Sequence, residues 1–212
     1  IYYISEEERH DPQLILDALA RRQVTCACIT PAILHLLPYQ PMPQLKYLVI
    51  AGESCPVETI RKWQATCKVV NAYGPTENTV CTTMHVYGEN PLAINIGQPL
   101  QNVSCYVLDA HNYLLPPGVR GRLFIGGQQL TEGYYHREQL NEESFIPNPF
   151  ATTRERALVL NNRLYDSGDN VCQLPDGDLL FFGRSDQQVK ISGHRVELGE
   201  VQSRIEQYPG VK

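Results

Sequence analysis

The sequence has no long hydrophobic run and no surplus of basic residues. Its apolar stretches, such as YLVIAG at residues 47–52, are too short to cross a bilayer. No basic segment followed by an apolar one opens the chain, so no secretory signal is expected. The formal net charge of −5 over 212 residues argues against binding to a phosphate backbone. These absences predict a cytoplasmic protein that binds neither a membrane nor nucleic acid.

Several motifs of well-known sites are also missing from the sequence. There is no phosphate-binding G-x-x-x-x-G-K-[ST] or G-x-G-x-x-G loop, no G-x-S-x-G nucleophile turn and no H-E-x-x-H zinc helix. The six histidines lack metal-ligand spacing, and no two of the seven cysteines form a C-x-x-C pair. The cysteines are therefore expected to be reduced and buried, as in a cytosolic protein, rather than part of a disulfide or zinc framework.

The first part of the chain alternates between helices and apolar strands. The segment DPQLILDALARR has Asp11 as a helix cap and Pro12 in the first turn. Three apolar strands, VTCACIT, LKYLVIAG and KVVNAY, follow in turn with Pro-led helices between them. This alternation predicts a parallel sheet covered on both faces.

From about residue 95 the pattern changes to short strands separated by Gly and Pro, and after Arg184 to a hairpin and an amphipathic helix. The predicted fold class is therefore α/β. A parallel-sheet α/β subdomain, itself partial, occupies residues 1–95, and a β-rich, distorted-barrel subdomain occupies residues 96–185. The start of a small α+β C-terminal unit, residues 186–212, ends the chain.

Two polar stretches stand at the ends of neighbouring predicted strands, AGE at 51–53 and NAYGPTE at 71–77. Ligands of open α/β sheets bind at that edge. Gly52 would allow close approach of a flat ligand, and Asn71 could read the edge of a base. Tyr73 offers a ring for stacking, whereas Thr76 could bind a phosphate oxygen and Glu77 a Mg²⁺ ion. The alternative is a tight turn followed by a solvated carboxylate.

Two further stretches lie near the end of the β-rich region. YDSGD, residues 165–169, places Asp169 where a carboxylate could accept both ribose hydroxyls, although an Asp-Gly turn is the competing interpretation. GRSDQQVKISGHRVELGE begins with Arg184 and Asp186 at the junction with the final hairpin, where an ordinary ion pair is the alternative role.

Taken together, these motifs resemble the adenylate-forming, AMP-binding enzyme superfamily, and within it the adenylation domains of nonribosomal peptide synthetases. NAYGPTE is similar to the family's adenine-and-magnesium motif, GRLFIGGQQLTEGYY to its Gly-rich barrel motif, YDSGD to its ribose motif and GRSDQQVKISGHRVELGE to its hinge motif. The four matches are colinear and cover nearly the whole chain. The resemblance makes residues 1–95 the C-terminal part of the large subdomain and residues 186–212 the beginning of the C-terminal lid.

The resemblance implies ATP-dependent activation of an amino acid as an aminoacyl-adenylate, with release of pyrophosphate. Thioester transfer to the phosphopantetheine of a peptidyl carrier domain would follow, with neighbouring synthetase domains as further partners. It assigns the α-phosphate to Thr76 and Mg²⁺ to Glu77, the hinge to Asp186 and the thioester tunnel to Gly193. The implied ATP/AMP site comprises Gly52, Glu53, Asn71, Ala72, Tyr73, Asp169, Phe181 and Arg184.

The resemblance also places part of an amino-acid pocket in this chain. The corresponding positions are all apolar, which is similar to pockets for large hydrophobic, Phe-like amino acids: Cys28, Val49, Ala51, Ala72, Val80 and Cys81. Two rival functions stay open at this stage. One is an acyl-CoA or aryl-acid ligase of the same superfamily, and the other is a non-catalytic nucleotide-binding module.

The chain departs from the family pattern at a few positions. Gln129 and Glu132 stand where the barrel motif usually has Gly and Arg, and Asp166 and Asn170 stand where the ribose motif usually has a basic residue and Leu. The family's phosphate loop and the lysine of its lid are not among these 212 residues. We therefore expect an AMP-forming acid–thiol ligase only within a longer chain, and a 212-residue piece that is not competent alone.

Overall fold

The computed structural model describes residues 1–186, 188–191 and 194–208. Contacts divide the chain into two compact units. Unit 1 contains Ile1–Ala72 and His85–Ala93, and unit 2 contains Tyr73–Met84, Ile94–Ile191 and the described residues from Arg195 on. The predicted division into three subdomains, 1–95, 96–185 and 186–212, stays a prediction.

Unit 1 is built on a parallel sheet, as the sequence predicts. Cys28 of β1 pairs with Val49 of β2, and Ala51 of β2 pairs with Ala72 of β3. The strands are β1 Cys26–Cys28, β2 Tyr47–Ala51 and β3 Lys68–Tyr73, and the helices are α1 Glu6–Arg9, α2 Pro12–Arg21, α3 Pro31–Leu36 and α4 Val57–Gln64.

The core of unit 1 lies on one face of this sheet. The Asp11 side chain accepts a hydrogen bond from the Gln13 amide at 2.8 Å, which starts α2 and directs Ile15 and Leu16 inwards. They join Trp63 of α4, which is completely buried, in one cluster with the inward side chains of the strands: Ala27, Leu48, Ile50 and Val69. Hydrophobic burial of this face is what holds the helices to the sheet.

The opposite face of the same strands is less completely buried than the core face. Cys26 and Cys28 are exposed, and Tyr47 retains 43% of its accessible surface. Val70 and Ala72 on this face are buried, so the face is covered in part, and the predicted coverage of both faces stays a prediction. The apolar pattern of β2 cannot distinguish a face covered by helices from one that lines a cleft.

Unit 2 is β-rich. Its strands are β4 Thr83–Val86, of which the first two residues belong to this unit, β5 Asn95–Pro99, β6 Val103–Leu108, β7 Arg120–Gly127, β8 Phe145–Pro147, β9 Arg163–Gln173, β10 Leu179–Arg184, β11 Gln188–Ile191 and β12 His194–Glu197. Its helices are α5 Glu138–Ser144, α6 Thr153–Ala157 and α7 Leu198–Glu206, with a single 3₁₀ turn at Thr76–Asn78.

In unit 2 one antiparallel sheet has the strand order β4-β5-β10-β9-β7-β6, with β8 beside β9, and β11 pairs with β12 in a separate two-stranded sheet. Alternation along β7 sends Leu123 and Ile125 to one cluster and Phe124 to another, as a period of two requires. The α/β fold class is confirmed, and its β-rich part is an open sheet: within the described residues the strands do not close into a barrel.

None of the helices in the described ranges is long and apolar enough to cross a membrane. All seven cysteines are thiols, as expected, but they are not uniformly buried: Cys26 and Cys28 are exposed, whereas Cys55 and Cys172 are buried.

The raised pKa of the Cys105 thiol predicts how the free energy of unfolding depends on pH. Burial raises the pKa of its thiol from 9.0 to about 12. Between these values the unfolded chain loses a proton that the folded chain keeps, so this thiol lowers the free energy of unfolding by up to about 1.4 kcal/mol per pH unit above pH 9. Replacing Cys105 with Val should remove this part of the alkaline loss, measured by urea unfolding at several pH values.

The comparison contains its own control. Below pH 8 the thiol is protonated in both states, so the difference between wild type and Cys105→Val there reports packing alone and should be constant. If the free energies of unfolding of wild type and Cys105→Val fall in parallel from neutral to alkaline pH, the raised pKa of Cys105 would be contradicted.

Candidate functional site

A chain of hydrogen-bonded polar side chains, with the buried Asp169 among them, crosses unit 2. The Tyr73 hydroxyl donates a short hydrogen bond to Asp169 Oδ2, and Arg184 Nη1 donates to Asp169 Oδ1 at 2.7 Å. Arg184 also holds Asp186 with two hydrogen bonds of 2.7 Å each. Asp169 is only 5% exposed, so its charge is compensated by the guanidinium and the phenol rather than by bulk water. The structure thus brings together four residues that the sequence pointed to separately.

The register of two strands explains this meeting. Asp169 of β9 pairs directly with Arg184 of β10, which places their side chains beside each other. Gly168 adopts a left-handed backbone with φ of 71°, and a Cβ there would lie 2.7 Å from Arg184 Nη2. The left-handed backbone and the neighbouring guanidinium both favour glycine between Ser167 and Asp169. The YDSGD motif is a strand segment with this conformation, not an isolated turn.

Tyr73 and Phe181 form the aromatic part of the site. Their ring centroids are 6.1 Å apart with an interplanar angle of 43°, and both pack against the unit 2 core. Burial raises the pKa of Tyr73 well above its usual value, and the Asp169 carboxylate raises it further. The phenol is therefore a hydrogen-bond donor throughout the physiological pH range.

Glu77 is a buried carboxylate in the 3₁₀ turn that follows Gly74 and Pro75. It is 5% exposed, and Tyr134 donates a hydrogen bond of 2.5 Å from its hydroxyl to Glu77 Oε1. The Thr131 amide donates to the Glu77 backbone carbonyl at 2.8 Å. Glu77 is therefore not the solvated charge that the alternative interpretation required, whereas Thr76 beside it is exposed.

A cavity of about 570 Å³ lies within unit 2; Asp169, Tyr73 and Phe181 are not among the residues that line it. Its wall combines the guanidinium groups of Arg122 and Arg184 with a larger number of carboxylates, so an anionic ligand would need a cation beside it. Glu77, Tyr134, Ser167, Gly168, Arg184 and Asp186 line it.

Whether Mg²⁺ fits this cavity depends on the oxygen ligands that its lining residues offer. Mg²⁺ is commonly held by one or two carboxylates together with water and substrate phosphates, not by a cage of protein ligands. Among the described residues no group of three or more His, Cys, Asp or Glu side chains could hold a metal. Glu77 is one carboxylate on the wall of a roomy cavity, so it fits a shared Mg²⁺ ion and would not hold a resident metal unaided.

Unit 1 contains the remaining residues predicted for the nucleotide site. Gly52 ends β2 in a left-handed conformation with φ of 95°, as close backbone approach requires. Glu53 Oε1 accepts a hydrogen bond of 2.9 Å from the Ala32 amide in the first turn of α3, so this carboxylate stabilises a helix N-terminus. Asn71 is 8% exposed and interacts with Tyr87. A direct role of these residues toward adenine stays a prediction.

The predicted amino-acid pocket has a clear basis in unit 1. Cys28 pairs with Val49, Ala51 pairs with Ala72, and Val49 and Ala51 are two residues apart on β2. In a parallel sheet this register puts all four on one face. It is the face opposite the helical core, where Cys28 is exposed and Val49 and Ala51 are half-buried. Their contact with a substrate stays a prediction.

The other predicted residues lie in or beyond unit 2. Val80 is 71% exposed and Cys81 is half-buried, both after the 3₁₀ turn. Asp186 follows β10, where its carboxylate is held by Arg184, and its role as a hinge is not tested by this contact. Gly193, the predicted tunnel residue, lies outside the described residues.

Two contacts escaped the sequence interpretation. Tyr134 belongs to the Gly-rich motif, and its position after Gly133 was the only signal that it could reach Glu77. Asp166, where the family usually has a basic residue, accepts a short hydrogen bond from Arg122 on the neighbouring strand. The departure at Asp166 is thus matched by a cation across the sheet, which no pattern along one strand could reveal.

The chain is similar in sequence and in fold to known proteins. The model of the AMP-binding enzyme family matches residues 1–135. The chain belongs to this family. Bacitracin synthase 3 of Bacillus licheniformis is 40% identical to it over 200 residues, covering 94% of this chain and 3% of that protein. Novobiocin biosynthesis protein H of Streptomyces niveus is 41% identical over 198 residues, covering 92% of this chain and 31% of that protein.

Solved structures agree with the AMP-binding family assignment. Holo-PA1221, an NRPS protein containing adenylation and PCP domains, matches with a TM-score of 0.84 and 28% sequence identity, covering 94% of this chain and 35% of that chain. The predicted resemblance to adenylation domains of nonribosomal peptide synthetases is confirmed. The chain spans less than a third of the length of the two relatives named above.

Asp169 is the residue whose replacement should disturb this AMP-binding chain most clearly. Asp169→Asn keeps the shape but removes the charge beside the Arg184 guanidinium, which is 16% exposed, so we expect a loss of about 1–3 kcal/mol in the free energy of unfolding. The pKa of Tyr73 should fall toward its usual value, because the carboxylate that raises it is gone, while burial still keeps it elevated.

Chemical denaturation measures the first effect and tyrosinate ultraviolet absorbance during alkaline titration the second. Tyr73→Phe identifies the signal of Tyr73 among the tyrosines. An unchanged titration in Asp169→Asn would contradict the coupling of Tyr73 to this carboxylate.

Proposed function

We propose that this chain supplies the nucleotide site and part of the amino-acid pocket of an enzyme that activates an amino acid with ATP. The observation that supports this most is the unit 2 cavity, in which Glu77 and Arg184 share one wall in a member of the AMP-binding family. The product of the reaction would be an aminoacyl-adenylate, with release of pyrophosphate.

Asp169 would accept the ribose hydroxyls of the nucleotide. A carboxylate has about four acceptor positions, so hydroxyl donors can join the hydrogen bonds from Tyr73 and Arg184. The compensated, buried charge holds the acceptor in one orientation before the nucleotide arrives. Phe181 and Tyr73 would pack against the nucleoside, and the adenine would lie toward Gly52, Glu53, Asn71 and Ala72.

Glu77 would hold Mg²⁺ beside the phosphates, and Thr76 would contact the α-phosphate. When bound, Mg²⁺ supplies positive charge that stabilises the phosphate oxygens of the transition state. The hydrogen bond from Tyr134 would fix one carboxylate oxygen of Glu77. Because both oxygens belong to one rigid group, the position of the other oxygen would then be set as well.

The chemical step follows from this positioning. A carboxylate oxygen of the amino acid attacks the α-phosphorus, a new P–O bond forms, and the bond to pyrophosphate breaks. Phosphoryl chemistry of this kind is accelerated mainly by orientation and electrostatics, since no covalent bond to the protein is needed. Arg184 on the cavity wall would contribute guanidinium N–H donors rather than net positive charge, because Asp169 and Asp186 more than balance its charge.

The amino acid would be large and hydrophobic, possessing a side chain such as that of phenylalanine. The apolar face formed by Cys28, Val49, Ala51 and Ala72 supports this, because it offers no charge to a charged side chain and the two alanines leave volume. Val80 and Cys81 would complete the pocket.

A carrier domain would then receive the activated acyl group as a thioester on its phosphopantetheine. The support is similarity to a protein that contains adenylation and PCP domains. Rotation of the lid about Asp186 would admit the thiol, and Gly193 would line its path. Neighbouring synthetase domains would be the other partners.

ATP–pyrophosphate exchange across a panel of amino acids tests the proposed function. The assay should use the full-length gene product, since we expect the 212-residue chain not to be competent alone. Exchange should be strongest with large apolar or aromatic amino acids. Ala72→Leu should lower the ratio of kcat/KM for bulky over small amino acids by roughly tenfold or more, because added volume fills the pocket and any effect on ATP binding is common to both.

Small amino acids serve as the internal control for Ala72→Leu. Unchanged preference would count against the pocket assignment. Exchange with an aryl acid and with no amino acid would replace the amino-acid hypothesis by an aryl-acid ligase, and ATP binding without any exchange would favour a non-catalytic module.

Tyr134→Phe tests the proposed role of Glu77. The ring contact with Phe145, at 5.7 Å between centroids, should remain, but the hydrogen bond to Glu77 is lost. The Mg²⁺ concentration for half-maximal exchange should rise roughly tenfold, as is typical when a group that orients a metal ligand is removed. Tyr135→Phe is the matched control, because Tyr135 is 86% exposed. Equal Mg²⁺ dependence in the two variants would refute the proposed positioning of Glu77.

A further inference from the structure

The segment that follows Glu77 has an unusual backbone. Thr79 and Val80 are consecutive β-branched residues, and both have positive φ, 49° and 72°. Side chains branched at Cβ rarely adopt this left-handed region, because Cβ crowds the backbone. Two such residues in a row persist only where surrounding contacts determine the conformation.

Gln129 provides these contacts from the segment after β7. Its side-chain amide Nε2 donates to two backbone carbonyls, that of Asn78 at 3.0 Å and that of Cys81 at 2.6 Å. These carbonyls stand on either side of the strained pair. In return, Thr79 Oγ1 donates to the Gln129 backbone carbonyl at 2.6 Å. One half-buried glutamine thus holds both ends of the Thr79–Val80 segment.

The other side of this segment is closed by Gly74. A Cβ at Gly74 would lie 2.5 Å from the Val80 carbonyl oxygen and 2.7 Å from the Thr82 amide nitrogen. The Thr82 amide donates to the Tyr73 carbonyl at 2.7 Å. The segment is therefore pressed against the end of β3 on one side and fastened by Gln129 on the other.

The same region of the chain also holds Glu77. The Thr131 amide, two residues after Gln129, donates to the Glu77 carbonyl. The backbone that carries the candidate metal ligand and the backbone that carries Val80 and Cys81 thus have a common support. Gln129 stands at a position where the motif usually has glycine, which has no side chain to form these bonds.

We propose that Gln129 is a positioning residue that clamps the strained Thr79–Val80 segment and thereby sets where Val80 and Cys81 lie relative to Glu77. Its consequence for substrate choice rests on the proposed function, in which Val80 and Cys81 line the amino-acid pocket. The clamp itself is a property of the folded chain and can be tested without any substrate.

Hydrogen–deuterium exchange of the full-length gene product, free of ligand, tests the clamp. Gln129→Met keeps a similar shape but has no amide donors. The peptide covering residues 76–82 should exchange roughly tenfold faster in this variant, since each of two lost hydrogen bonds contributes a factor of about three. Gln128→Met is the matched control, because Gln128 is the exposed neighbour. Equal exchange of residues 76–82 in the two variants would overturn the proposal.

Peptides from β6 and β7 report whether the fold is intact. Should Gln129→Met lose their protection, Gln129→Gly, which restores the residue usual in the motif, replaces it with the same expectation for residues 76–82.

ATP–pyrophosphate exchange with different amino acids then tests whether the clamp influences substrate choice. Gln129→Met should reduce the ratio of kcat/KM between the preferred and a poorer amino acid by at least about threefold, with the KM for ATP changed less than about twofold. Faster deuterium exchange with an unchanged ratio would refute the link to substrate choice. Faster deuterium exchange in a protein that activates no amino acid would refute the proposed function and leave the clamp established.

Discussion

The charge of Asp169 is the feature on which the rest of unit 2 depends. A carboxylate that is 5% exposed must be compensated within the protein, and Arg184 and Tyr73 do this from different segments of the chain. Their convergence ties the end of β3 to β9 and β10. The same ion pair orders the guanidinium on the cavity wall and, through it, Asp186. Stability and a candidate ligand site are therefore coupled through one carboxylate.

The two faces of the unit 1 sheet differ in role. One packs in the core, and the other carries candidate functional residues. One face is covered by α2, α3 and α4 and contains the buried core of the unit. The other presents Cys28, Val49, Ala51 and Ala72, with small or partly exposed side chains. Because side chains alternate along a strand, every second residue of β2 packs in the core and the intervening ones lie on the opposite face.

Departures from the family pattern are compensated locally. Asp166 is matched by Arg122 across the sheet, and Gln129 forms the hydrogen bonds that a glycine could not. Glu132 is fully exposed and lies 3.9 Å from Arg163, where little energy is at stake. Thus two of the half-buried departures, Asp166 and Gln129, have polar partners, and the exposed Glu132 has only a weak contact.

The sequence by itself determined the order of elements, the parallel sheet of unit 1 and the motifs of the family, since these depend on periodicity and on residues close together in the chain. Only the tertiary structure decided that Tyr134 reaches Glu77, that Gln129 holds Thr79 and Val80, and that Arg122 meets Asp166. The physical reason is that these features depend on register between strands and on contacts between residues far apart in the chain, which no local pattern encodes.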